Sequence, residues 1–363
     1  MRRRDFLASA VSLGAIAAAR PFAAAAQTRP LVYADMHSHL GLIGPRVSVR
    51  EAMVPNGMLV VSRKIIADAP VIRRTPGKGI QQVREPAAGE LAKRFDTVLA
   101  RVKSEHKDQD IAEITDAASL ERVTKEAVPA AVIAAEGGDF IDGDVNRLQA
   151  ARREGLVHLQ LVHYRVSDIG DISTDRPVHN GLTAFGRDVV AACNRLGILV
   201  DVAHCTAEGI AHALEVSTKP LIYSHGHVIS TTPHWTQSGI RARAIGSRQA
   251  RQIAEKGGVI GIWPLGLQYG SLEAYASALL DTARTVGLEH VGVGTDLLGL
   301  GGSTVMPGYE QFAQLEEILA RRELKTQDIH NLLGGNYLRA LRVALTIEPG
   351  NKAGAPAVER ETR

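Results

Sequence analysis

Cysteine is nearly absent. Cys193 and Cys205 are the only two in 363 residues, and neither sits in a C-x-x-C pair, so a zinc knuckle, a redox dithiol and a disulfide scaffold are excluded. With Cys193 expected on a helix and Cys205 at the far end of the strand that follows, both are expected as free thiols. Aromatic residues make up 4% of the chain, and no Lys/Arg run is interleaved with them. A surface that tracks a phosphate backbone is therefore missing, and nucleic acid is not an expected partner. No G-x-x-x-x-G-K occurs, which removes the common phosphate loop. No apolar run reaches the roughly 20 residues that span a bilayer. The formal charge of +3 also vanishes once the first 26 residues are set aside, because Arg2, Arg3, Arg4 and Arg20 against Asp5 account for all of it. Small neutral or zwitterionic ligands fit such a balance.

Those first 26 residues have a layout of their own: a basic start, an apolar stretch of about 14 residues from Phe6 to Ala19, then Arg20, Pro21 and the small-residue run Ala23 to Ala26. This is the pattern of a cleaved secretory signal. Arg3 and Arg4 followed by Asp5, Phe6 and Leu7 resemble a twin-arginine signal, which exports folded proteins. An ordinary Sec signal with a chance arginine pair is the alternative. The expected location is periplasmic or secreted, with no stable membrane anchor after processing. Residues 346–363 are Gly-, Pro- and charge-rich and are expected to form a disordered tail, which leaves 27–345 as one domain.

What is abundant in the body is alternation. Short apolar or β-branched runs recur between amphipathic stretches, the signature of repeated βα units around a parallel sheet. Eight such runs are present: Leu31–His37, Met58–Ile66, Ala131–Glu136, Leu156–His163, Gly197–His204, Pro220–His225, Gly258–Trp263 and His290–Asp296. Helical periodicity marks Glu90–Val102, Gly186–Arg195, Ala207–Glu215, Arg248–Lys256 and Leu272–Thr285. The stretch from Arg73 to Arg84, with its Gly and Pro, reads as a long loop. Eight strands at this spacing predict an α/β fold, a closed (β/α)8 TIM barrel.

In such barrels chemistry collects where the strands end. The runs end at His37, with His39 two residues on, and at Glu136, His163, His204, His225 and Asp296. Imidazoles and carboxylates aimed at one rim form an N/O ligand set that suits zinc or another divalent transition metal. The i, i+2 spacing of His37 and His39 turns both to one face of a strand, so they can chelate one ion. Glu136 can offer an oxygen to each of two ions. Asp35 is expected to orient a ligand histidine. Gly137 and Gly138 are expected to open room beside Glu136. His106, His158, His179, His212, His290 and His330 are expected at the surface or outside the ligand set, while His227 and His234 lie close enough to the sixth run to line the pocket.

Asp35-Met-His-Ser-His39, Glu136-Gly-Gly138, Leu161-Val-His-Tyr164, Asp201-Val-Ala-His204, Ser224-His225, Gly292-Val-Gly-Thr-Asp296 and Gly334-Gly-Asn336 occur in order and resemble the membrane (renal-type) dipeptidase family, peptidase family M19 of the amidohydrolase superfamily. The resemblance implies a binuclear zinc dipeptidase that hydrolyses dipeptides through a metal-bridging hydroxide. His37 and His39 would bind one zinc, His204 and His225 the second, and Glu136 would bridge. His163 would steady the oxyanion and touch substrate, Asp296 would shuttle the proton, and Arg243 would grip the substrate carboxylate. Family members often pair, so a homodimer is an expected assembly.

The resemblance has departures. The family's first motif ends in aspartate where this chain has His39, which leaves the site more positive by about one charge. Ala244 follows the arginine where the family has Asn, and Arg241 is close enough to be its equivalent if the loop is shifted. Ile262-Trp263-Pro264-Leu265 stands where the family carries an Asn-Phe-Tyr run. Two further readings therefore stay open: an amidohydrolase acting on another amide, a lactam or a lactone, and a non-catalytic binding or maturation protein.

Overall fold

The computed structural model describes residues 30–347 apart from 45, 77–78, 230–239 and 301–302. The signal expected over residues 1–26, nearly all of the expected tail and His234 lie outside the described residues. Eight strands follow one another in an all-parallel ladder: β1 (Tyr33–Ser38), β2 (Met58–Ile66), β6 (Ala130–Glu136), β7 (Leu156–Gln160), β8 (Leu199–Asp201), β9 (Leu221–Ile229), β11 (Val259–Ile262) and β12 (Val291–Val293). The last meets the first. Asp296 N–H donates to the His37 carbonyl at 2.9 Å and His39 N–H to the Leu297 carbonyl at 3.0 Å, so the segment after β12 is strapped to β1 and the ring closes. Each predicted run overlaps one of these strands, with β9 running four residues past the end expected at His225. Their residues are apolar on both faces because helices cover the outside and side chains fill the inside.

Four short strands lie off the ring. β5 (Ala112–Glu113) pairs with β6, and β10 (Ala244–Gly246) pairs with β9. β3 (Ile72–Thr75) and β4 (Gly79–Gln82) form an antiparallel hairpin, which corrects the loop expected over 73–84. The five expected helices are present as Glu90–Asp108, Ala184–Leu196, Ala207–Val216, Ser247–Glu255 and Leu272–Val286. Three of them start on a side-chain cap: Thr183 accepts from Gly186 N–H, Thr206 from Gly209 N–H, and Ser271 from Ala274 N–H. Such a cap satisfies one of the donors that a helix start leaves open.

The last described helix, Asn336–Leu345, closes the end of the barrel where the strands begin. Asn336 Nδ2 donates to the carbonyls of Leu288 and Val291, Arg339 reaches the Gly257 carbonyl, and Lys219 reaches the Ala344 carbonyl. Gly334 lies so close to β1 that a Cβ there would stand 2.4 Å from Ala34 N. With this floor sealed, the other rim is the open one. Cys193 and Cys205 are buried free thiols, and no described helix is long and apolar enough to cross a membrane.

Candidate metal and catalytic site

At the open rim the strand ends bring the expected residues together. His37 lies on β1 and His39 just beyond it, Glu136 ends β6, His163 and His204 follow β7 and β8 by three residues, and His225 lies on β9. One ligand atom each from His37, His39 and Glu136 falls within 4.8 Å of the others, and so do those of Glu136, His204 and His225. Glu136 is common to both groups. Its Oε1 stands 3.4 Å from His37 Nε2, 3.5 Å from His204 Nε2 and 3.6 Å from His225 Nε2, while Oε2 stands 3.1 Å from His39 Nε2. Asp296 Oδ1 completes the cluster, 3.3 Å from His39 Nε2.

Local backbone serves this convergence. His204 and Asp296 hold φ of +68° and +49°, a left-handed conformation uncommon away from glycine. Such residues persist where the surroundings over-determine them, often at functional sites. Gly137 does make room: at φ +87°, a Cβ there would meet Asp139 Oδ2 at 2.7 Å and His163 Cβ at 3.3 Å.

In three of the four histidines the nitrogen that faces away from the cluster is held. His39 Nδ1 donates to the Lys64 carbonyl at 2.9 Å. Ser224 Oγ lies 3.2 Å from His37 Nδ1 and 2.9 Å from His225 Nδ1. The carbonyl contact places a proton on His39 Nδ1, and in all three rings these contacts leave Nε2 facing the cluster, as second partners of ligand histidines do. Asp35 is buried and takes His37 N–H, Thr295 N–H and the hydroxyls of Thr295 and Tyr309, so it orients the His37 backbone as expected.

The electrostatics fit a cation. Burial alone would raise the Glu136 pKa, but the imidazoles of His163, His37 and His39 hold it well below the usual carboxylate range. Burial opposes charge on His39 too, yet Glu136 and Asp296 push it up to about 10. His204 and His225 are driven well down, by burial first and by neighbouring positive groups second, which keeps their lone pairs free. Both ring nitrogens of His204 are buried without a hydrogen-bond partner among the described residues. Two imidazole nitrogens, His37 Nε2 and His39 Nε2, face each other at 3.3 Å. An orphaned imidazole, converging nitrogens and a carboxylate among them suit a metal centre.

The remaining expected residues sit around this centre. His163 Nδ1 contacts Asp68 Oδ1 at 2.7 Å and its Nε2 lies 3.4 Å from Glu136. Arg243 is buried, with Nη2 2.8 Å from His225 Nε2, Nη1 3.5 Å from the Tyr164 hydroxyl and its guanidinium 4.9 Å from the Trp263 ring centroid. Arg241 is exposed, so the arginine at the site is Arg243. An imidazole lone pair serves one partner at a time, so an ion held by His225 would release an Arg243 donor.

His106 and His158 lie outside the ligand set, as expected, though buried, and His227 does not line the pocket. His158 is buried inside the barrel against Lys64, Asp201 and Tyr337, because alternation along β7 turns it inward. His106 is buried and bonded to Glu113. His227 is buried but lines a different cavity, with Arg251, Tyr269 and Asp281. Asp68 and Lys64 were not picked out from sequence. Asp68 follows the second run as the other acids follow theirs, and Lys64 is a charge inside an apolar run. Either oddity was a signal.

The ring and its histidine–carboxylate rim define an amidohydrolase-type barrel, and the fold agrees with an amidohydrolase from Pseudomonas aeruginosa at TM-score 0.71 and 18% identity, covering 86% of this chain and 96% of that one. Residues 86–353 match the family model of the membrane dipeptidases, peptidase family M19, and the chain belongs to that family. It is 24% identical over 269 residues to Dipeptidase tcpJ of Claviceps purpurea, covering 71% of this chain and 59% of that protein. It is 27% identical over 218 residues to Dipeptidase verJ of Clonostachys rogersoniana, covering 58% and 54%. The chain thus spans between half and three fifths of the length of these curated relatives. A Rhodobacter sphaeroides metallo peptidase liganded with a phosphinate mimic of L-Ala-D-Ala shares the fold at TM-score 0.69 and 19% identity, covering 88% of this chain and 100% of that one.

Proposed function

We propose that the protein is a metal-dependent dipeptidase that hydrolyses the amide bond of dipeptide-sized substrates ending in a free carboxylate, and that it is exported. The observation that carries this reading is the Glu136 carboxylate shared between two histidine pairs, in a chain that belongs to the membrane dipeptidases. His37 and His39 would hold one zinc ion, His204 and His225 the other, with Glu136 between them. Bound there, the pair would supply Lewis acidity and an acidified water at neutral pH. Asp296 Oδ1 accepts a proton from the attacking water and passes it to the leaving amine nitrogen. His163, oriented by Asp68, directs Nε2 at the carbonyl oxygen as charge develops on it. The Arg243 guanidinium grips the terminal carboxylate, a pairing that planar forks favour. The cavity is about 330 Å³, at the small end of ligand pockets, which suits a dipeptide better than a longer chain.

The test is metal content of the purified protein together with a dipeptide panel that includes D-residues at the second position. Near two zinc ions per chain and release of amino acids is the expected result. Two ions with no release from any dipeptide would discard the dipeptide and favour another amide, a lactam or a lactone. Absence of bound metal after zinc loading would overturn the hydrolase reading. Export is tested by recovering the protein from a periplasmic fraction and sequencing its amino terminus.

A further inference from the structure

The cavity above the metal-ligand cluster is unequal in charge. Two acidic side chains line it, Glu136 and Asp296, and both are engaged at the centre, within 3.8 Å of the histidine Nε2 atoms. Among the described residues the other charged groups on the wall are Arg243, with Nη2 2.8 Å from His225 Nε2, and Arg74 farther out. The internal stretches not described, at 45, 77–78, 230–239 and 301–302, contain no Asp or Glu in their sequence, so none of them can add a carboxylate. Two buried donors in the pocket, Trp263 Nε1 and Arg243 Nε, have no hydrogen-bond partner among the described residues. They call for acceptors. Much of the remaining wall is aliphatic: Ile43, Ile66, Ile72, Ile80, Leu265 and Leu300.

The β3–β4 hairpin is the source of Ile72, Arg74 and Ile80.

A free dipeptide carries an ammonium on the carbon next to the scissile carbonyl. In this pocket that charge would meet aliphatic side chains, an exposed arginine and a centre built to hold cations. Burying an ammonium without a carboxylate partner is costly. We propose that the site prefers substrates whose acyl side is apolar and uncharged, namely N-acyl amino acids and N-blocked dipeptides, over free dipeptides. The amide is cleaved by water to a carboxylic acid and a free amino acid, as in the hydrolase reading on which this rests. Arg74 sets part of the preference by repelling the ammonium, and the aliphatic wall sets the rest.

The test compares Leu-Ala with 4-methylpentanoyl-Ala, which differ only in the ammonium, on the zinc-loaded protein. The acyl compound is expected to show a kcat/KM at least about tenfold higher, a factor worth about 1.4 kcal/mol. Binding of the uncleavable ketomethylene analogues of both, read by calorimetry, is expected to follow the same order. Arg74 is exposed, so Arg74→Glu should fold as the parent does, and it is expected to shrink the ratio by placing a carboxylate near the ammonium. Equal or faster cleavage of Leu-Ala would overturn the preference while leaving amide hydrolysis intact. Cleavage of neither compound would overturn both. A ratio unmoved by Arg74→Glu would overturn the part given to the hairpin.

Discussion

Lys64 Nζ stands 2.7 Å from Asp201 Oδ2, with neither side chain exposed, inside the barrel beneath the histidine rim. The two residues reach three of the four histidines assigned to the ions. The Lys64 carbonyl takes the Nδ1 proton of His39, and Asp201 Oδ1 accepts the Ser224 N–H at 3.1 Å. Ser224 Oγ in turn touches Nδ1 of both His37 and His225. Replacing Lys64 by Met strands a buried carboxylate and is expected to cost about 3–5 kcal/mol of stability, measured by urea unfolding. The double variant Lys64→Met/Asp201→Asn, which removes the stranded charge and keeps an acceptor for the Ser224 and Ala203 N–H groups, should regain part of that loss.

Ser224→Ala removes the partner that fixes two ring orientations while leaving every proposed ligand in place. Zinc affinity is expected to fall 10- to 100-fold, the usual range for loss of such a partner, in competition with a chromophoric chelator. Far-UV circular dichroism should not change. Unaltered affinity would show that packing alone orients the two rings.

Asp296→Asn keeps the size of the side chain and removes its ability to accept a proton. Turnover is expected to drop at least a hundredfold, the usual worth of a positioned general base, with metal content unchanged. Activity at the parent level would take Asp296 out of the proton transfer.

Stability should depend on pH through His158. Burial, and then the charge of Lys64, push its pKa down to about 3, against about 6.5 in an unfolded chain. Between these values the unfolded state binds the extra proton, so the contribution of His158 is fully present above pH 6.5 and is lost as pH falls toward 3. The slope is about 1.4 kcal/mol per pH unit for one proton. In metal-free protein, the difference in unfolding free energy between parent and His158→Gln should change by that amount per unit between pH 4 and 6. A difference independent of pH would contradict this.

Much of this was legible in the chain before its shape was known. A parallel barrel buries its strands on both faces, so each strand is an apolar run, and the residue that ends the run faces the rim. The same logic exposes where reading stopped. The β3–β4 hairpin has four residues per strand and carries Arg73 and Arg74 in place of apolar alternation, so nothing set it apart from a loop. His158 looked peripheral because its partners, Lys64 and Asp201, are 94 and 43 residues away. Asp68 is paired with His163 across 95 residues, and no local pattern announces such a pairing.

Seven consecutive pairs align β2 with β6, from Val60 opposite Ala130 to Ile66 opposite Glu136. The side chains of a strand alternate between faces, so a shift by one residue would carry Glu136 to the outside of the barrel and bring Ala135 to the rim. Neither half of the ion site could then form, since the same carboxylate belongs to both. Metal uptake would therefore distinguish a correctly registered barrel from a slipped one of similar compactness and secondary structure, and during refolding it would report when this pairing has locked.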